Sequence, residues 1–255
     1  MSEKVDVFQE VTPDVKLRTK KMMMWLIIFA VVMLFGGITS ALIVLKGKIM
    51  WMHVQVPTVF WGSIASVIIS SIAMWSAVKG LRAGEIKKSM IALAITFALG
   101  IAFTIFQISG WQGLSAKGMG YTQTLNEKGM TVTKWNPLGK FTGEYGTDYW
   151  IEYKGQPLVL WEGQFFASDD ANHIKPKTTE VMSTFNASGA LISVLVYVHI
   201  LHLALGLIYI LVNLNRLRIG VLSKENWMSL YANGMYWHFM GILWIYLFMF
   251  IFFIY

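Results

Sequence analysis

Five long apolar stretches limit how this chain can fold. They lie near residues 22–45, 57–79, 89–113, 184–214 and 229–254. Each is long enough to cross a hydrocarbon core of about 30 Å as a helix, which takes about 20 residues. Hydrophobic residues make up 56% of the 255 residues and charged residues only 14%, which is too apolar for a soluble domain. We therefore expect an all-α membrane protein with five transmembrane helices.

The interiors of these predicted helices hold no Asp, Glu, Lys or Arg. Membrane ion pathways and proton relays usually need such groups near mid-membrane, so a transporter or pump acting alone is disfavoured. The chain also has no cysteine, which excludes thiolate metal sites and iron–sulfur clusters. Small residues recur every four positions in three helices, and we interpret them as places where helices pack closely. They are Gly36 and Ser40; Gly62, Ser66 and Ser70; and Ala94, Ala98 and Ala102.

The basic residues predict the orientation in the membrane. Twelve Lys and Arg residues lie before the first helix, after the second and after the fourth, all on one side, whereas the short opposite loop holds only Lys46 and Lys48. The positive-inside rule then makes segment 1–21 cytoplasmic. Residues 22–113 form helices one to three, residues 184–255 form helices four and five, and segment 114–183 becomes a periplasmic lobe. The basic residues form no aromatic-interleaved patch, so no nucleic-acid partner is expected.

The external segment is predicted to fold. Alternation from Tyr149 to Tyr153, a turn at Lys154-Gly155-Gln156 and an apolar run from Pro157 to Trp161 predict a β-hairpin. Its tryptophans have the character of interface anchors, and we expect them to dock a partner. The alternative is a self-contained cap whose aromatic residues form its own core. The three candidate docking residues are Trp135, Trp150 and Trp161.

One polar loop in this segment imitates a metal site. His173 lies near Asp169 and Asp170, but a single histidine beside two adjacent carboxylates is more often solvated. We therefore assign no metal to the chain.

Three histidines lie inside the apolar stretches: His199, His202 and His238. His202 and His238 lie at similar depths when counted from the inner ends of their helices, so they could be neighbours. Two facing imidazoles could ligate a b-type haem, as in bis-histidine membrane cytochromes. The alternative is a set of neutral histidines hydrogen-bonded between helices or to a lipid head group. Spacing alone leaves both interpretations open.

Two motifs in the last two helices resemble those of cytochrome c oxidase subunit III. The first, Tyr236-Trp237-His238-Phe239, opens the terminal helix and is followed by Trp244. The second places His199, His202 and Gly206 in a His-x-x-His-x-x-x-Gly pattern, with Arg216 at the position of an arginine at the helix end. The five-helix count is similar to the short bacterial form of that family, and Ser70-Ser71, Gln107 and Trp111 give weaker matches in the middle helices.

This resemblance implies a non-catalytic subunit of a haem-copper terminal oxidase in the bacterial inner membrane. Such a complex reduces dioxygen to water with electrons from cytochrome c and moves protons outward. By the same resemblance, haems and copper belong to partner subunits I and II, His238 binds no cofactor, and this chain supports the catalytic subunit and binds phospholipids through Arg216. The expected partner of the lobe is either an oxidase subunit or an adjoining electron-donating complex. The nearest alternative is a quinol oxidase subunit III.

The chain also departs from the family pattern. Three intramembrane carboxylates of the family would fall at Val31, Gly110 and Gly241 when the sequences are aligned on Trp25, on Trp111 and on Tyr236 to Phe239. No proton-storage role inside this subunit is therefore expected.

Overall fold

The computed structural model describes residues 13–46, 50–54, 57–117, 123–125, 131–133 and 144–254. It is mostly helical, and five helices are long and apolar enough to cross a membrane, which confirms the predicted number. The helices are α1 (Pro13–Lys46), α2 (Val59–Ala83), α3 (Ile86–Ala116), α4 (Thr178–Arg218) and α5 (Met228–Met249), and a π-helical segment, Phe250–Ile254, follows α5.

Two helices begin earlier than the apolar stretches suggested. α1 starts at Pro13 rather than near 22, and α4 starts at Thr178 rather than near 184. Proline is tolerated at a first helical position because the N–H that it lacks would have no partner there. Asp14 and Glu180 lie in the first turns, where a negative charge complements the helix dipole. These polar first turns extend the helices without adding to the apolar pattern.

Helix α5 forms the centre of the bundle. Of its apolar stretch 56% is buried, against 28% to 39% in the other four helices. It packs on α1, α2 and α4, while α2 and α3 form an antiparallel pair and α3 also packs on α4. Helix α1 adds one buried face with helical spacing. The large side chains on that face are Met24, Ile28, Val31, Phe35 and Leu42.

The small-residue stripes contribute less to this packing than predicted. Ser66 and Ser70 of α2 are buried, as expected. Gly36 of α1 and Ala98 of α3 are instead exposed, as are Ser40 and Ala94. A Cβ added to Gly36 would meet nothing within 4 Å. The prediction is wrong for α1 because its packed face carries large side chains. It is wrong for α3 because the small residues on the packed face of that helix are others, among them Gly100 and Gly110.

The strands lie in the two connections at one end of the bundle and form three small antiparallel sheets. The first sheet has β4 (Tyr149–Tyr153) between β1 (Trp51–Val54) and β5 (Gln156–Pro157). The other two are β2 (Gln123–Leu125) with β3 (Thr131–Thr133), and β6 (Val159–Trp161) with β7 (Gln164–Phe166). We call this end the lobe. Its core consists of Met50, Tyr149, Ile151, Leu158, Phe165 and Val181, the last from α4.

The predicted hairpin forms only in part. Lys154 and Gly155 make the expected tight turn between β4 and β5, with φ of +51° and +82°. Pro157 has no N–H to continue the ladder, and Leu158 donates the last hydrogen bond, to the Ile151 carbonyl at 2.8 Å. The second predicted strand, Pro157 to Trp161, is therefore wrong beyond Leu158, because Val159–Trp161 turns away to pair with β7.

Two features of the lobe had weak or distant signals in the sequence. The turn between β6 and β7 is Glu162-Gly163, with φ of +48° and +78°, the same left-handed pair as at Lys154-Gly155. A non-glycine residue followed by glycine was therefore the signal for the second hairpin. Strand β1 comes from the α1–α2 connection, so the lobe also includes residues outside 114–183.

Candidate functional site

The two sequence motifs meet at one contact between α4 and α5. Gly206 lies where α5 crosses α4, and a Cβ added there would be 3.1 Å from Tyr236 Cε1 and 3.5 Å from Trp237 Cε3. The Tyr236 hydroxyl donates a hydrogen bond to the His202 backbone carbonyl at 2.9 Å. The missing side chain of Gly206 thus leaves room for two aromatic rings. The tyrosine hydroxyl has its hydrogen-bond acceptor on the facing helix.

The Trp237 indole connects this contact to the rest of the bundle. Its Nε1–H donates to the Ser70 hydroxyl at 3.1 Å, and Ser70 in turn donates to the Val67 carbonyl at 2.9 Å. A Cβ at Gly100 of α3 would be only 2.8 Å from Trp237 Cη2. One side chain of α5 therefore touches α2, α3 and α4, which makes it a major packing element of the bundle.

His199 lies deep in the bundle within a cage of aromatic rings. Its ring centroid is 6.3 Å from Phe35, 6.4 Å from Phe103 and 5.4 Å from Trp244. Both of its ring nitrogens lack a hydrogen-bond partner among the described residues, as does the Trp244 indole nitrogen. The cavity beside it measures about 10 Å³, which is room for about one water molecule. The cage accommodates a neutral imidazole but offers no space for a larger ligand.

The other two membrane histidines lie on different sides of α5. His202 Nδ1 donates to the Val198 carbonyl at 2.7 Å, and its ring packs on Phe35 of α1 at 6.0 Å. His238 is half-buried in an open groove of about 690 Å³ between α2 and α5, beside Ser71 and Trp75. Two residues correspond to about 200° around a helix, so His238 points away from the α4 contact made by Tyr236. The suggested pairing of His202 with His238, which bis-histidine haem ligation would need, is therefore wrong.

The positions of the three missing carboxylates are filled by packing. A Cβ at Gly110 would be 2.6 Å from Phe60 Cζ, and one at Gly241 would be 2.8 Å from Val67 Cγ1. Val31 lies on the buried face of α1. Helices approach one another too closely at the two glycines to admit a carboxylate without rearrangement. In the part of the chain that the structure describes, no group of three or more His, Asp or Glu residues could hold a metal ion.

A polar network joins α4 and α5 at the end opposite the lobe, which we call the basic end. Arg216 Nη1 lies 3.4 Å from the Ser229 hydroxyl, to which it donates, and Ser229 donates to Asn213 Oδ1 at 2.9 Å. The Tyr209 hydroxyl donates to the Ser229 carbonyl at 3.0 Å. Asn213 and Asn233 are fully buried. These two asparagines were not among the residues predicted from the sequence, although an Asn inside an apolar helix favours contact between helices.

Cations and aromatic rings alternate around this network. The Arg82 guanidinium lies 3.8 Å from the Trp227 ring centre and 4.9 Å from that of Tyr231, and the Lys21 ammonium lies 5.3 Å from Tyr231. No carboxylate pairs with Arg82 or Arg216 among the described residues. Exposed cations held in place by aromatic rings are suited to an anionic group, such as a lipid phosphate.

In the lobe, each of the two described candidate tryptophans is stacked on a histidine. Trp150 lies on His53 at 5.3 Å with an interplanar angle of 16°, and Trp161 lies on His173 at 5.2 Å with an angle of 3°. Both indoles remain exposed. Trp135 lies outside the described residues. The lobe core uses tyrosines and phenylalanines instead, so the aromatic residues divide between the two alternatives that the sequence left open.

The lobe loop that resembled a metal site serves a local structural purpose. The Asp170 carboxylate accepts hydrogen bonds from the backbone N–H groups of Ile174 at 3.1 Å and Lys175 at 2.7 Å. These bonds, with a smaller effect of nearby His173 and Lys175, hold the pKa of Asp170 below its ordinary value. Elsewhere in the lobe the Tyr145 hydroxyl donates to the Leu158 carbonyl at 2.7 Å, and burial raises the pKa of Tyr145 to about 12.

No protein-family model matches the chain, and no curated protein matches it. The resemblance to cytochrome c oxidase subunit III therefore rests on the motif residues alone.

Proposed function

We propose that this chain is the third, non-catalytic subunit of a haem-copper terminal oxidase in a bacterial inner membrane. The observation that supports this most is that the two motifs shared with the family pack against each other, with Gly206 against Tyr236 and Trp237 and with His199 against Trp244. Residues with separate roles would have no reason to contact one another. Residues that fix two helices against each other are expected to do so.

In this proposal the chain supports the catalytic subunit rather than reacting itself. Trp237 holds three helices together through packing and through its bond to Ser70. The uncharged interiors of the helices, with Gly110 and Gly241 packed tightly, give protons no carboxylate to use inside this subunit. Haems and copper then belong to partner subunits I and II, which reduce dioxygen to water with electrons from cytochrome c and move protons outward.

Purification of the tagged chain from its own membranes in mild detergent tests the proposal. The expected result is co-purification of a haem-copper catalytic subunit, identified by mass spectrometry and by its absorption spectrum. The chain expressed alone is expected to show no haem absorbance. A partner with a copper-containing electron-entry subunit would indicate a cytochrome c oxidase, and its absence a quinol oxidase. A b-type haem spectrum from the isolated chain would refute the proposal in favour of a membrane cytochrome.

The proposal includes a phospholipid at the basic end. Arg216 is exposed, and its fork reaches Ser229 while leaving donors for phosphate oxygens. Native mass spectrometry of the complex should show fewer retained phospholipids for Arg216→Ala than for the wild type. Arg218→Ala is the matched control, because Arg218 is also exposed at the end of α4. Equal retention by both variants would leave only a positive-inside anchoring role for Arg216.

The proposed orientation places the basic end in the cytoplasm and the lobe in the periplasm. Single cysteines at Lys87 and Asp169 test this, because the chain has no cysteine of its own and both positions are exposed. An impermeant thiol reagent added to cells with a permeabilised outer membrane should label position 169 and spare position 87. The reverse pattern would overturn the orientation.

A further inference from the structure

We propose that one exposed face of the lobe is a docking surface for a positively charged protein surface on the same side of the membrane. The face consists of Val159, Trp161, His173 and Ile174, and we call it the Trp161 ridge. The inference adds to the proposed function but does not depend on it, since it concerns the lobe and not the bundle.

The ridge exposes apolar area that the lobe could have buried. Trp161 is 54% exposed, Ile174 is 70% exposed and Val159 is 41% exposed. Val159 and Trp161 share one face of β6, because side chains alternate along a strand, while Phe165 of β7 is fully buried in the lobe core. A large exposed tryptophan beside aliphatic residues is typical of the centre of a protein interface.

The ridge is also held rigid before any partner arrives. The Trp161 indole is stacked on the His173 ring at an angle of 3°, and the edge of His173 lies against Phe166 at 4.9 Å. His173 has a φ of +51°, which a non-glycine residue rarely adopts. The two backbone bonds to the Asp170 carboxylate keep the loop in this conformation. Binding to such a surface loses little side-chain entropy.

The β6–β7 hairpin is attached to the start of α4, where the Phe165 N–H donates to the Thr178 hydroxyl at 3.0 Å. The apolar stretch of that helix starts near residue 184. At 1.5 Å per residue, the attachment lies on the order of 9 Å beyond the start of that stretch. The ridge is therefore carried by the lobe, outside the apolar part of the bundle.

Charge indicates which protein surface fits. Residues 144–181 contain seven Asp and Glu residues but only three Lys, although the whole chain carries a net charge of +7. Glu162 at the hairpin tip and Asp169 in the adjoining loop are exposed and border the ridge. Three of the seven acidic residues are paired, Asp148 with Lys117, Glu152 with His53 and Glu180 with Lys177. Next to the ridge, Glu162, Asp169 and Asp170 outnumber the one exposed lysine, Lys175. An apolar pocket with Lys and Arg around its rim would therefore complement the ridge, whereas anionic lipid would be repelled.

A photo-crosslinking amino acid at Ile174, in the full chain in its native membrane, tests the inference. Illumination should join the chain to one protein, through a peptide that carries net positive charge. The yield should fall at least tenfold with Trp161→Ala, as expected for a central interface residue, and should survive Trp161→Phe, which keeps a ring over His173. Charge reversal by Glu162→Lys with Asp169→Lys should lower the yield as well. The same crosslinker at Val221, at the basic end, is the control for position and should not capture that protein.

Each other outcome overturns the inference. Crosslinks only to lipid would make the ridge a membrane anchor, and crosslinks only to this chain, or none, would remove the partner. A protein captured equally by the wild type and the charge-reversed variant would not be the basic partner proposed. The result is separable from the proposed function, because co-purification of a haem-copper subunit can succeed or fail whether or not the ridge is occupied.

Discussion

The bundle and the lobe differ in whether their polar side chains have partners. All the buried side-chain polar atoms that lack a hydrogen-bond partner among the described residues lie in the helices, including both Asn233 amide atoms and the His199 nitrogens. In the lobe, several polar side chains near the surface have partners, as in His53 with Glu152 at 2.6 Å and Lys117 with Asp148 at 3.2 Å. The bundle is thus specified by a few bonds between helices, and the lobe by a small core and its strand ladders.

This difference means that the two regions can be disrupted separately. The described interhelix bonds are few, and those away from the basic end include Tyr236 to His202, Trp237 to Ser70 and Tyr246 to Thr39. Surface ion pairs such as those of the lobe contribute only about 0 to 1 kcal/mol each. Stability in the lobe must therefore come mainly from its buried side chains.

Removing a ring from the lobe core should give the largest local effect. Phe165 is fully buried between β4 and α4, and Phe165→Ala should destabilise the lobe by about 3 to 5 kcal/mol through lost burial and a cavity. Limited proteolysis should then cut between residues 144 and 177 while the helices remain protected. Val159→Ala, on the exposed side of the neighbouring strand, is the control. Simultaneous loss of the helical circular dichroism signal would show that the two regions are not separable.

Filling a close helix contact should harm the bundle and spare the lobe. Gly110→Val should cost about 1 to 3 kcal/mol, because the new side chain meets the Phe60 ring, which is itself fully buried. Gly36→Val is the matched control, since the same substitution there enters open space. Thermal unfolding in detergent should show a lower midpoint for Gly110→Val only. Equal midpoints would mean that α2 and α3 do not approach as closely as described.

Loss of a single interhelix bond should have a smaller effect. Ser70→Ala leaves the buried Trp237 N–H without its acceptor and should cost about 1 kcal/mol. Ser71→Ala is the control, because Ser71 lines the open groove beside His238. The thermal midpoint should fall for the first variant and stay for the second. Equal midpoints for the two variants would show that the hydrogen bond from Trp237 to Ser70 does not stabilise the bundle.

The smallest expected effect is the loosening of one lobe loop by acid. The pKa of Asp170 is lowered from its ordinary 3.8 by bonds that need the carboxylate, so they stabilise the loop above that value. This stabilisation is lost as the pH falls through the lower pKa of the folded protein. Amide exchange at Ile174 and Lys175, corrected for its intrinsic pH dependence, should quicken below about pH 3.8 and quicken at neutral pH in Asp170→Asn. Unchanged exchange in both cases would contradict this role.

The sequence predicted the bundle better than the lobe for a physical reason. Long apolar runs reveal helices locally, so all five were found, and only their polar first turns, such as that beginning at Pro13, were missed. The face of a helix that packs on a given neighbour depends on residues far away in the sequence. Gly36 and Gly62 belong to similar stripes, yet Gly36 faces open space and Gly62 contacts Phe106.

In the lobe, only the features encoded by adjacent residues could be predicted. The Lys154-Gly155 turn was found from its glycine, whereas β1 was missed because its partner β4 lies almost a hundred residues away. His202 and His238 were placed at similar depths from their positions in the sequence, but depth does not give direction around a helix. The contact of Gly206 with Tyr236 could not be predicted from the sequence, because it depends on how α4 and α5 cross.

In the proposed function, the bundle and not the lobe binds the catalytic subunit of a haem-copper oxidase. Replacement of residues 144–176 by a Gly/Ser linker tests it most directly, because the bundle contacts that bring the two motifs together lie outside that segment. The measurement is the amount of haem-copper catalytic subunit that co-purifies per tagged chain, by quantitative mass spectrometry and haem absorbance. The account predicts an unchanged ratio. Loss of the catalytic subunit from a variant whose helices remain folded would contradict it.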